Sequence, residues 1–318
     1  MARLHFIDGL RGIAASMVVL YHLAGRTDAT WFTQLGYLGV AIFFVISGFV
    51  IAMVATDCPI TWGFLGRFAA RRSLRLDPPY WLSLALAVIL ALMATRFGVI
   101  KTLPNPTDIG LHFLYLQDFA GATPISPIYW TLCLEIQFYV VLILCLWTRW
   151  PLIMVLALSG WSLLEHAQLT DVSPRGLFVP YWFAFAAGSL TYWNHVGKLR
   201  THYLCAALAV LLLFTIGHNG AWCLTATLTA SILVIASRLH RMGSWLSGLL
   251  PQFLGRISYS LYLFHPLVGW SAQSLALRYL NQWGALAVGI AVSVLCAWVV
   301  YRVVERPSIA LSHYVSLR

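Results

Sequence analysis

Ten apolar segments follow one another along this chain, and most are nearly long enough to cross a bilayer. They are residues 10–25, 37–55, 79–97, 129–147, 151–165, 178–193, 203–216, 221–236, 257–277 and 285–301. A full span takes about 20 apolar residues, so 151–165 and 203–216 fit least well. Only 9% of the 318 residues are charged, whereas a soluble domain carries about 25%. The pattern predicts an all-α fold, a polytopic membrane helix bundle of about ten transmembrane helices, with residues 1–318 forming a single integral-membrane domain.

The basic residues are distributed unevenly between the two sides of the predicted bundle. An even number of spans puts both termini on one side, where fourteen of the 20 Lys and Arg residues fall, against five on the other side. Because Lys and Arg accumulate in cytoplasmic loops, we predict a multi-pass protein of the plasma (inner) membrane with both termini cytoplasmic. This distribution accounts for the net charge of +10 without nucleic-acid binding, which needs one clustered basic face.

The first apolar segment carries two ionisable residues, Arg11 and His22. Eleven residues make almost three helical turns, so both side chains leave nearly the same face, about 16 Å apart along the axis. An ionisable residue inside a membrane helix is costly and indicates a functional site by default, although Arg11 alone also suits a cytoplasmic anchor. Cleavage as a signal peptide would remove both residues, and nine spans follow, so we expect a retained helix.

Four arginines lie within nine residues before the third span. Arg67, Arg71 and Arg75 are spaced i, i+4, i+8, and with Arg72 they predict a basic stripe on a short helix that ends at a rigid Pro-Pro-Tyr entry. Arginine forks pair bidentately with phosphate oxygens, so the stripe fits anionic lipid headgroups or a polyphosphate ligand. Topogenic charge explains part of the cluster but needs fewer arginines.

The fourth span contains a carboxylate, Glu135, on the same face as Phe138 and Tyr139. Helical rise places it about 9 Å from the outer end of its span, a depth similar to that of His22. A carboxylate in lipid protonates or finds a partner, so we expect Glu135 to pair with His22 or Arg11.

The ninth span carries a polar seam of Ser258, Tyr262 and His265, spaced i, i+4, i+7. Hydrogen bonds between helices explain such a seam as well as a binding role does. The outer connection, 98–128, has an apolar middle, 111–119, which we expect to dip into the interface or line a cavity mouth. The six cysteines show no CxxC or zinc-like spacing, so no metal site is predicted.

Two other classes of protein also fit a polytopic bundle. A transporter or flippase for a glycoconjugate or small metabolite needs intramembrane charges and a cavity between helices. The sequence shows no inverted repeat and no paired broken helices. A membrane scaffold leaves Arg11, His22 and Glu135 unexplained. Covalent modification of an acceptor separates an enzyme from a transporter, which moves its substrate unchanged.

Six motifs occur in order along nearly the whole chain. They are Arg11 and His22 within DGLRG…YH; Gly39…Phe43-Phe44…Ser47-Gly48-Phe49; Arg71-Arg72-x-x-Arg75-x-x-Pro78-x-Tyr80; Trp130-Thr131-Leu132-x-x-Glu135-x-x-Phe138-Tyr139; Ser258-Tyr259-x-x-Tyr262-x-x-His265; and Tyr301…Glu305-Arg306-Pro307. Together they resemble the membrane-bound acyltransferase 3 family, which O-acylates sugars and some other acceptors. Thr131 replaces the commoner serine, and Leu76 stands where isoleucine is frequent.

The resemblance implies an acyl-CoA donor, most often acetyl-CoA, used as a substrate with no permanently bound cofactor. Arg71, Arg72 and Arg75, with Tyr80, are then predicted to bind CoA. The acceptor is expected to be a hydroxyl of a sugar, polysaccharide or glycolipid. Some relatives append a hydrolase-like domain, whereas this chain is expected to act in the stand-alone form, with transfer finishing within the bundle or at its outer mouth.

The resemblance also assigns expected roles to the intramembrane residues. His22 is the predicted general base for the acceptor hydroxyl, because imidazole titrates near neutral pH. Arg11 positions the thioester carbonyl or stabilises its oxyanion, and Glu135 orients His22 or binds acceptor hydroxyls. An acyl-His22 intermediate is an open variant. Trp130 joins the seam residues as an acceptor-binding or structural candidate.

Overall fold

The computed structural model describes residues 4–25, 33–96, 103–216 and 219–317. Arg3, Arg26, Lys101 and Arg318, which entered the charge count above, lie outside these ranges. All regular structure within the described ranges is helical. The α-helices are α1 (His5–Ala24), α2 (Gly39–Ala55), α3 (Trp62–Arg96), α4 (Pro106–Phe113), α5 (Tyr129–Trp147), α6 (Pro151–His166), α7 (Trp182–His195), α8 (Thr201–Leu213), α9 (Gly220–Arg238), α10 (Leu249–Phe264), α11 (Trp270–Ala276), α12 (Gln282–Val300) and α13 (Arg306–Ser312).

Short segments of other helical types connect some of these helices. Segments Gln34–Leu38, Val179–Tyr181 and Phe214–Ile216 are 3₁₀-helical, and His265–Gly269 and Tyr301–Glu305 are π-helical. Each π-helical segment joins two α-helices without a loop, so α10 with α11, and α12 with α13, form two long interrupted helices.

Six helical stretches of the described chain are long and apolar enough to cross a membrane. They are His5–Ala24, Gln34–Ala55, Trp62–Arg96, Tyr129–Trp147, Gly220–Arg238 and Gln282–Ser312. Shorter apolar helices occupy Pro151–His166 and Thr201–Ile216. The all-α, multi-pass membrane fold predicted from hydropathy is confirmed, and the count of ten spans stays a prediction.

Helix α3 differs from the expected short basic helix followed by a separate span. It runs through Pro78 and Pro79 as one helix of 35 residues, about 52 Å of rise against about 30 Å of hydrocarbon. Its arginine-rich first part therefore extends beyond the hydrocarbon. Pro78 and Pro79 remove the helical donors of the Leu74 and Arg75 carbonyls. Beside them, the Tyr259 hydroxyl donates to the Leu76 carbonyl at 2.8 Å.

The chain divides into two compact units, which interleave along the sequence. The first unit comprises the described residues within Met1–Ala14, Leu38–Ile60 and Leu134–Gly255. The second unit comprises those within Ala15–Tyr37, Thr61–Cys133 and Arg256–Arg318. Helices α1, α5 and α10 each contribute residues to both.

The core of the first unit is the close packing of α2 against α7. A Cβ on Gly48 would lie 1.9 Å from the Phe185 carbonyl oxygen, and a Cβ on Gly188 would lie 1.8 Å from the Val45 carbonyl oxygen. Only glycine permits this approach. The Ser189 hydroxyl donates to the Gly48 carbonyl at 3.1 Å, and α7 is buried from Trp182 through Asn194.

The second unit holds the end of α1 through side chains of α11. The last carbonyls of a helix have no partner within it, so they need donors from elsewhere. Trp270 Nε1 donates to the His22 carbonyl at 3.1 Å, and Gln273 Nε2 donates to the Leu23 carbonyl at 3.0 Å. These bonds fix the part of α1 that carries His22.

Candidate functional site

Helix α1 carries both predicted intramembrane residues, Arg11 in the part that belongs to the first unit and His22 in the second. Both side chains are half-buried. The His22 ring meets the ring of Trp270 edge to face, with centroids 5.9 Å apart. Trp270 was not among the predicted site residues, although its place one turn beyond a His-Pro pair was the available signal.

His22 forms a pair with His265 in the second unit. His22 Nδ1 lies 2.9 Å from His265 Nε2, and the two ring centroids are 5.1 Å apart. His265 has no exposed surface, whereas His22 is half-buried. The structure thus brings together two residues that the sequence analysis assigned to different sites, the catalytic set and the polar seam.

The local backbone explains why the His265 ring is fixed. Pro266 has no N–H, so the Tyr262 carbonyl four residues earlier loses its usual helical donor. His265 Nδ1 lies 2.8 Å from that carbonyl oxygen and 3.1 Å from the Leu261 carbonyl oxygen. The helix takes its π-helical form over His265–Gly269, a distortion that is common at functional sites.

The rest of the predicted polar seam is buried. Tyr262 Oη lies 2.7 Å from Thr131 Oγ1, and the two rings of Tyr262 and His265 are 6.2 Å apart. Ser258 is 1% exposed, and Trp130 on α5 is half-buried. Tyr262 therefore makes the contact between helices that the structural interpretation of the seam predicted, and an acceptor-binding role for Trp130 and Ser258 stays a prediction.

A cavity of about 580 Å³ lies beside the His265 segment in the second unit. Its lining residues come from α3, the outer connection, the π-helical segment and α11: Leu90, Ala91, Ala94, Ile125, Ser126, Pro127, Pro266, Leu267, Trp270, Ser271 and Ser274. Residues 125–127 of the outer connection line this cavity, and the expectation that 111–119 dips into the interface or lines a cavity mouth stays a prediction. The Ser126 hydroxyl is buried without a hydrogen-bond partner within the described chain.

Glu135 belongs to the first unit, where two hydroxyl groups donate to its Oε1. The Ser47 hydroxyl lies 2.9 Å away, and the Tyr139 hydroxyl, one turn along α5, makes a short hydrogen bond. These donors satisfy a carboxylate without an opposite charge. The expected pairing of Glu135 with His22 or Arg11 stays a prediction.

The arginine cluster lies on the first part of α3 in the second unit. Arg71, Arg72 and Arg75 are half-buried and Arg67 is exposed. Arg71 Nη2 lies 3.1 Å from His313 Nδ1, and the Arg72 guanidinium lies 5.5 Å from the centroid of the Phe68 ring. The protein thus holds two of the guanidinium groups, which lowers the entropy cost of binding an anion.

Tyr80 differs from the arginines with which it was grouped. It is fully buried, its hydroxyl donates to the His112 carbonyl at 2.8 Å, and its ring stacks on that of Tyr115 at 4.5 Å. These contacts give Tyr80 a structural role, and its predicted contact with CoA stays untested. In the same outer connection, burial raises the pKa of the Asp118 carboxyl.

A family profile described as an acyltransferase domain, acyltransferase 3, matches residues 4–302. The chain belongs to the acyltransferase 3 family. This confirms the resemblance that the six motifs carried, and it identifies a membrane O-acyltransferase in preference to a transporter or a scaffold. No solved structure matches the chain.

Several curated proteins are similar to this acyltransferase. Nodulation protein 10 of Rhizobium leguminosarum bv. viciae is 28% identical over 350 residues, covering 96% of this chain and 93% of the relative. The putative membrane-bound transacylase BcsY of Komagataeibacter xylinus is 28% identical over 340 residues, covering 94% and 81%. Peptidoglycan O-acetyltransferase OatA of Listeria monocytogenes is 24% identical over 357 residues, covering 95% of this chain but 55% of that protein. The acyltransferase thus spans about half the length of OatA.

Proposed function

We propose that this acyltransferase moves an acyl group, most simply acetyl, from acyl-CoA at the cytoplasmic face to a hydroxyl of a sugar or polysaccharide acceptor. The observation that carries the proposal is the His22–His265 pair, a fixed and half-buried imidazole on a membrane helix of a family that transfers acyl groups. One relative, the peptidoglycan O-acetyltransferase OatA, supports both the acetyl group and the carbohydrate acceptor.

In the proposed reaction, His22 acts as general base. Its free ring nitrogen accepts the proton of the acceptor hydroxyl while the oxygen attacks the thioester carbonyl. The C–O bond forms, the C–S bond breaks, and the CoA thiolate leaves and takes up a proton. The products are an ester and CoA. The variant in which His22 itself carries the acyl group uses the same free nitrogen as a nucleophile.

We assign binding of the CoA phosphates to Arg71, Arg72 and Arg75. Two of these guanidinium groups are held by protein contacts, and α3 is long enough to carry all three beyond the hydrocarbon. Arginine suits this task because its fork binds phosphate oxygens bidentately. The assignment needs this end of α3 to be cytoplasmic, which agrees with cytoplasmic termini under the positive-inside rule.

Arg11 and Glu135 complete the proposed machinery. We assign to Arg11 the thioester carbonyl or its oxyanion; Arg11 precedes His22 by eleven residues on α1, about 16 Å of helix rise. Glu135 is an acceptor of hydrogen bonds from hydroxyl groups already, as its bonds to Ser47 and Tyr139 illustrate, which suits the binding of sugar hydroxyls. The cavity beside the His265 segment supplies space for a substrate.

The test uses purified protein in nanodiscs with acetyl-CoA labelled in the acetyl group. Label is followed onto a panel of glycans, and mild base is used to release ester-linked acetyl groups. We expect base-labile label on at least one glycan, with one CoA released for each group transferred. If CoA neither binds nor is released while the folded protein carries a glycan across a vesicle membrane unchanged, the proposal is wrong.

A further inference from the structure

The hydrogen-bond partners of His265 determine which of its ring nitrogens carries hydrogen. Nδ1 lies within hydrogen-bond distance of two carbonyl oxygens, those of Tyr262 at 2.8 Å and Leu261 at 3.1 Å. A carbonyl oxygen only accepts hydrogen bonds, so Nδ1 must donate. A neutral imidazole has one N–H, which leaves Nε2 of His265 as an acceptor.

The positively charged form of His265 is unfavourable at this position. The side chain has no exposed surface, and its hydrogen-bond partners within the described chain are His22 and the two carbonyls. None of these partners carries a negative charge. Burial of an unpaired charge is costly, so the neutral ring with a bare Nε2 is the stable form.

This arrangement determines the tautomer of His22 in turn. His22 Nδ1 lies 2.9 Å from the bare Nε2 of His265, so Nδ1 must supply the hydrogen. Neutral His22 then carries its hydrogen on Nδ1 and a free electron pair on Nε2.

We propose that His265 is a positioning residue that holds His22 in the Nδ1–H tautomer and thereby makes Nε2 the reacting nitrogen. Because Pro266 has no N–H, the Tyr262 carbonyl is free to accept the hydrogen of His265 Nδ1. His265 itself does not touch the substrate. Trp270 contributes by holding the His22 backbone and packing against the edge of its ring.

The same hydrogen bonds determine where the proton goes during the reaction, an inference that rests on the proposed function of His22. When Nε2 accepts the proton of the acceptor hydroxyl, His22 becomes an imidazolium with both nitrogens protonated. The Nδ1–H remains hydrogen-bonded to His265, which stabilises the positive charge and prevents the ring from rotating. Nε2 then returns the proton to the CoA thiolate, so the pair ends the cycle as it began.

Two substitutions of His265 separate positioning from simple packing. His265→Gln keeps an oxygen near the position of Nε2 and an N–H₂ group for the carbonyls, whereas His265→Leu fills the space without an acceptor. We expect kcat to fall by about 10- to 100-fold in His265→Leu with KM little changed, and to recover most of its value in His265→Gln. His202→Leu, at an exposed histidine on α8, is the matched control and should match the wild type.

The decisive readout is the ¹⁵N NMR spectrum of protein labelled at histidine, in nanodiscs at neutral pH. Signals of His22 are assigned by their loss in His22→Ala. We expect a protonated Nδ1 and an unprotonated Nε2 in the wild type and in His265→Gln, and a mixture of tautomers in His265→Leu. A bare Nδ1 on wild-type His22 overturns the proposal even if a variant fails to fold. If the spectra agree but His22→Ala keeps its activity, positioning stands and the catalytic role fails.

Discussion

In the first unit, α2 and α7 approach so closely that backbone touches backbone, whereas in the second unit the helix ends and breaks are joined by polar side chains. Gly48 and Gly188 permit the first kind of contact, and His22, His265 and Trp270 make the second. The contact between α2 and α7 involves no titratable group, and a Cβ added at either glycine would overlap the backbone of the other helix. The second places ionisable rings at fixed positions beside a cavity, which is the arrangement that catalysis requires.

The cavities of the two units show the same contrast. The first unit encloses about 210 Å³ lined mainly by leucine and alanine, with Phe183 at one side. The cavity of the second unit is larger and is lined by three serines, Ser126, Ser271 and Ser274, against Ser159 in the first. An apolar cavity weakens packing, whereas a larger one with several serines, beside the segment that begins at His265, offers more groups to orient a polar substrate. We therefore assign the proton transfer at His22 to the second unit.

The largest effect is expected from glycine substitutions in the first unit. Gly188→Ala places a methyl group 1.8 Å from the Val45 carbonyl oxygen, which forces α2 and α7 apart. We expect a loss of about 3 kcal/mol in the free energy of unfolding, or failure to fold, measured by thermal unfolding in nanodiscs. Gly160→Ala on α6 is the control, because its added Cβ meets nothing within 4 Å and stability should rise slightly.

A smaller effect is expected at the arginine cluster of the second unit. Arg71→Gln combined with Arg75→Gln should raise KM for acetyl-CoA about 10-fold and leave kcat unchanged, because charge-assisted bonds to phosphate are lost. The double variant should also lose any preference for acetyl-CoA over acetyl-dephospho-CoA. Arg149→Gln, an exposed arginine after α5, is the control. An unchanged KM would remove this cluster from the donor site.

A third prediction concerns the polar seam and asks whether its hydrogen bond between helices is structural or binds substrate. Tyr262→Phe removes the bond to Thr131, which keeps its bond to the Ile128 carbonyl at 2.8 Å. We expect the free energy of unfolding to fall by about 1 kcal/mol and kcat to change little. Thermal unfolding measures the first quantity and initial rates measure the second. A large rise in KM for the acceptor would instead make Tyr262 an acceptor-binding residue.

The smallest effect is expected from a surface ion pair of the first unit. Lys198 Nζ lies 2.5 Å from Asp57 Oδ1, with both side chains about half exposed. Exposed pairs contribute little because water and salt screen them. Lys198→Ala should change the free energy of unfolding by less than about 0.5 kcal/mol, measured by thermal unfolding, and leave transfer rates unchanged. A loss above about 2 kcal/mol would show that polar surface contacts support the first unit.

Hydropathy located the six long apolar helices well because burial in lipid leaves a strong local signal. The predicted span 129–147 coincides with α5, and 37–55 nearly coincides with the 3₁₀ segment plus α2. The predicted start of the third span was wrong, because Pro78 and Pro79 suggested a helix entry whereas α3 begins at Trp62. The π-helical segment at His265 was not predicted. Both differences involve proline within a membrane helix. At Pro266 the freed Tyr262 carbonyl is satisfied by the His265 ring, a contact that sequence does not show.

The sequence predicted which residues belong to the candidate site, but not which of them contact one another. His22, His265 and Glu135 were each singled out as ionisable residues in apolar segments. The contact between His22 and His265 joins residues 243 positions apart, which a single sequence does not reveal. The expected pairing of Glu135 with His22 or Arg11 stays a prediction, and the hydrogen bonds from Ser47 and Tyr139 to Glu135 were not predicted.

The most direct test of the central claim is the rate of labelled acetyl transfer by His22→Ala and His202→Ala, each in nanodiscs with unchanged unfolding midpoints. Loss of a general base should lower the rate about 10³-fold in His22→Ala, while His202→Ala keeps the wild-type rate. Near-normal transfer by folded His22→Ala would contradict the assignment of the chemistry to the histidine pair.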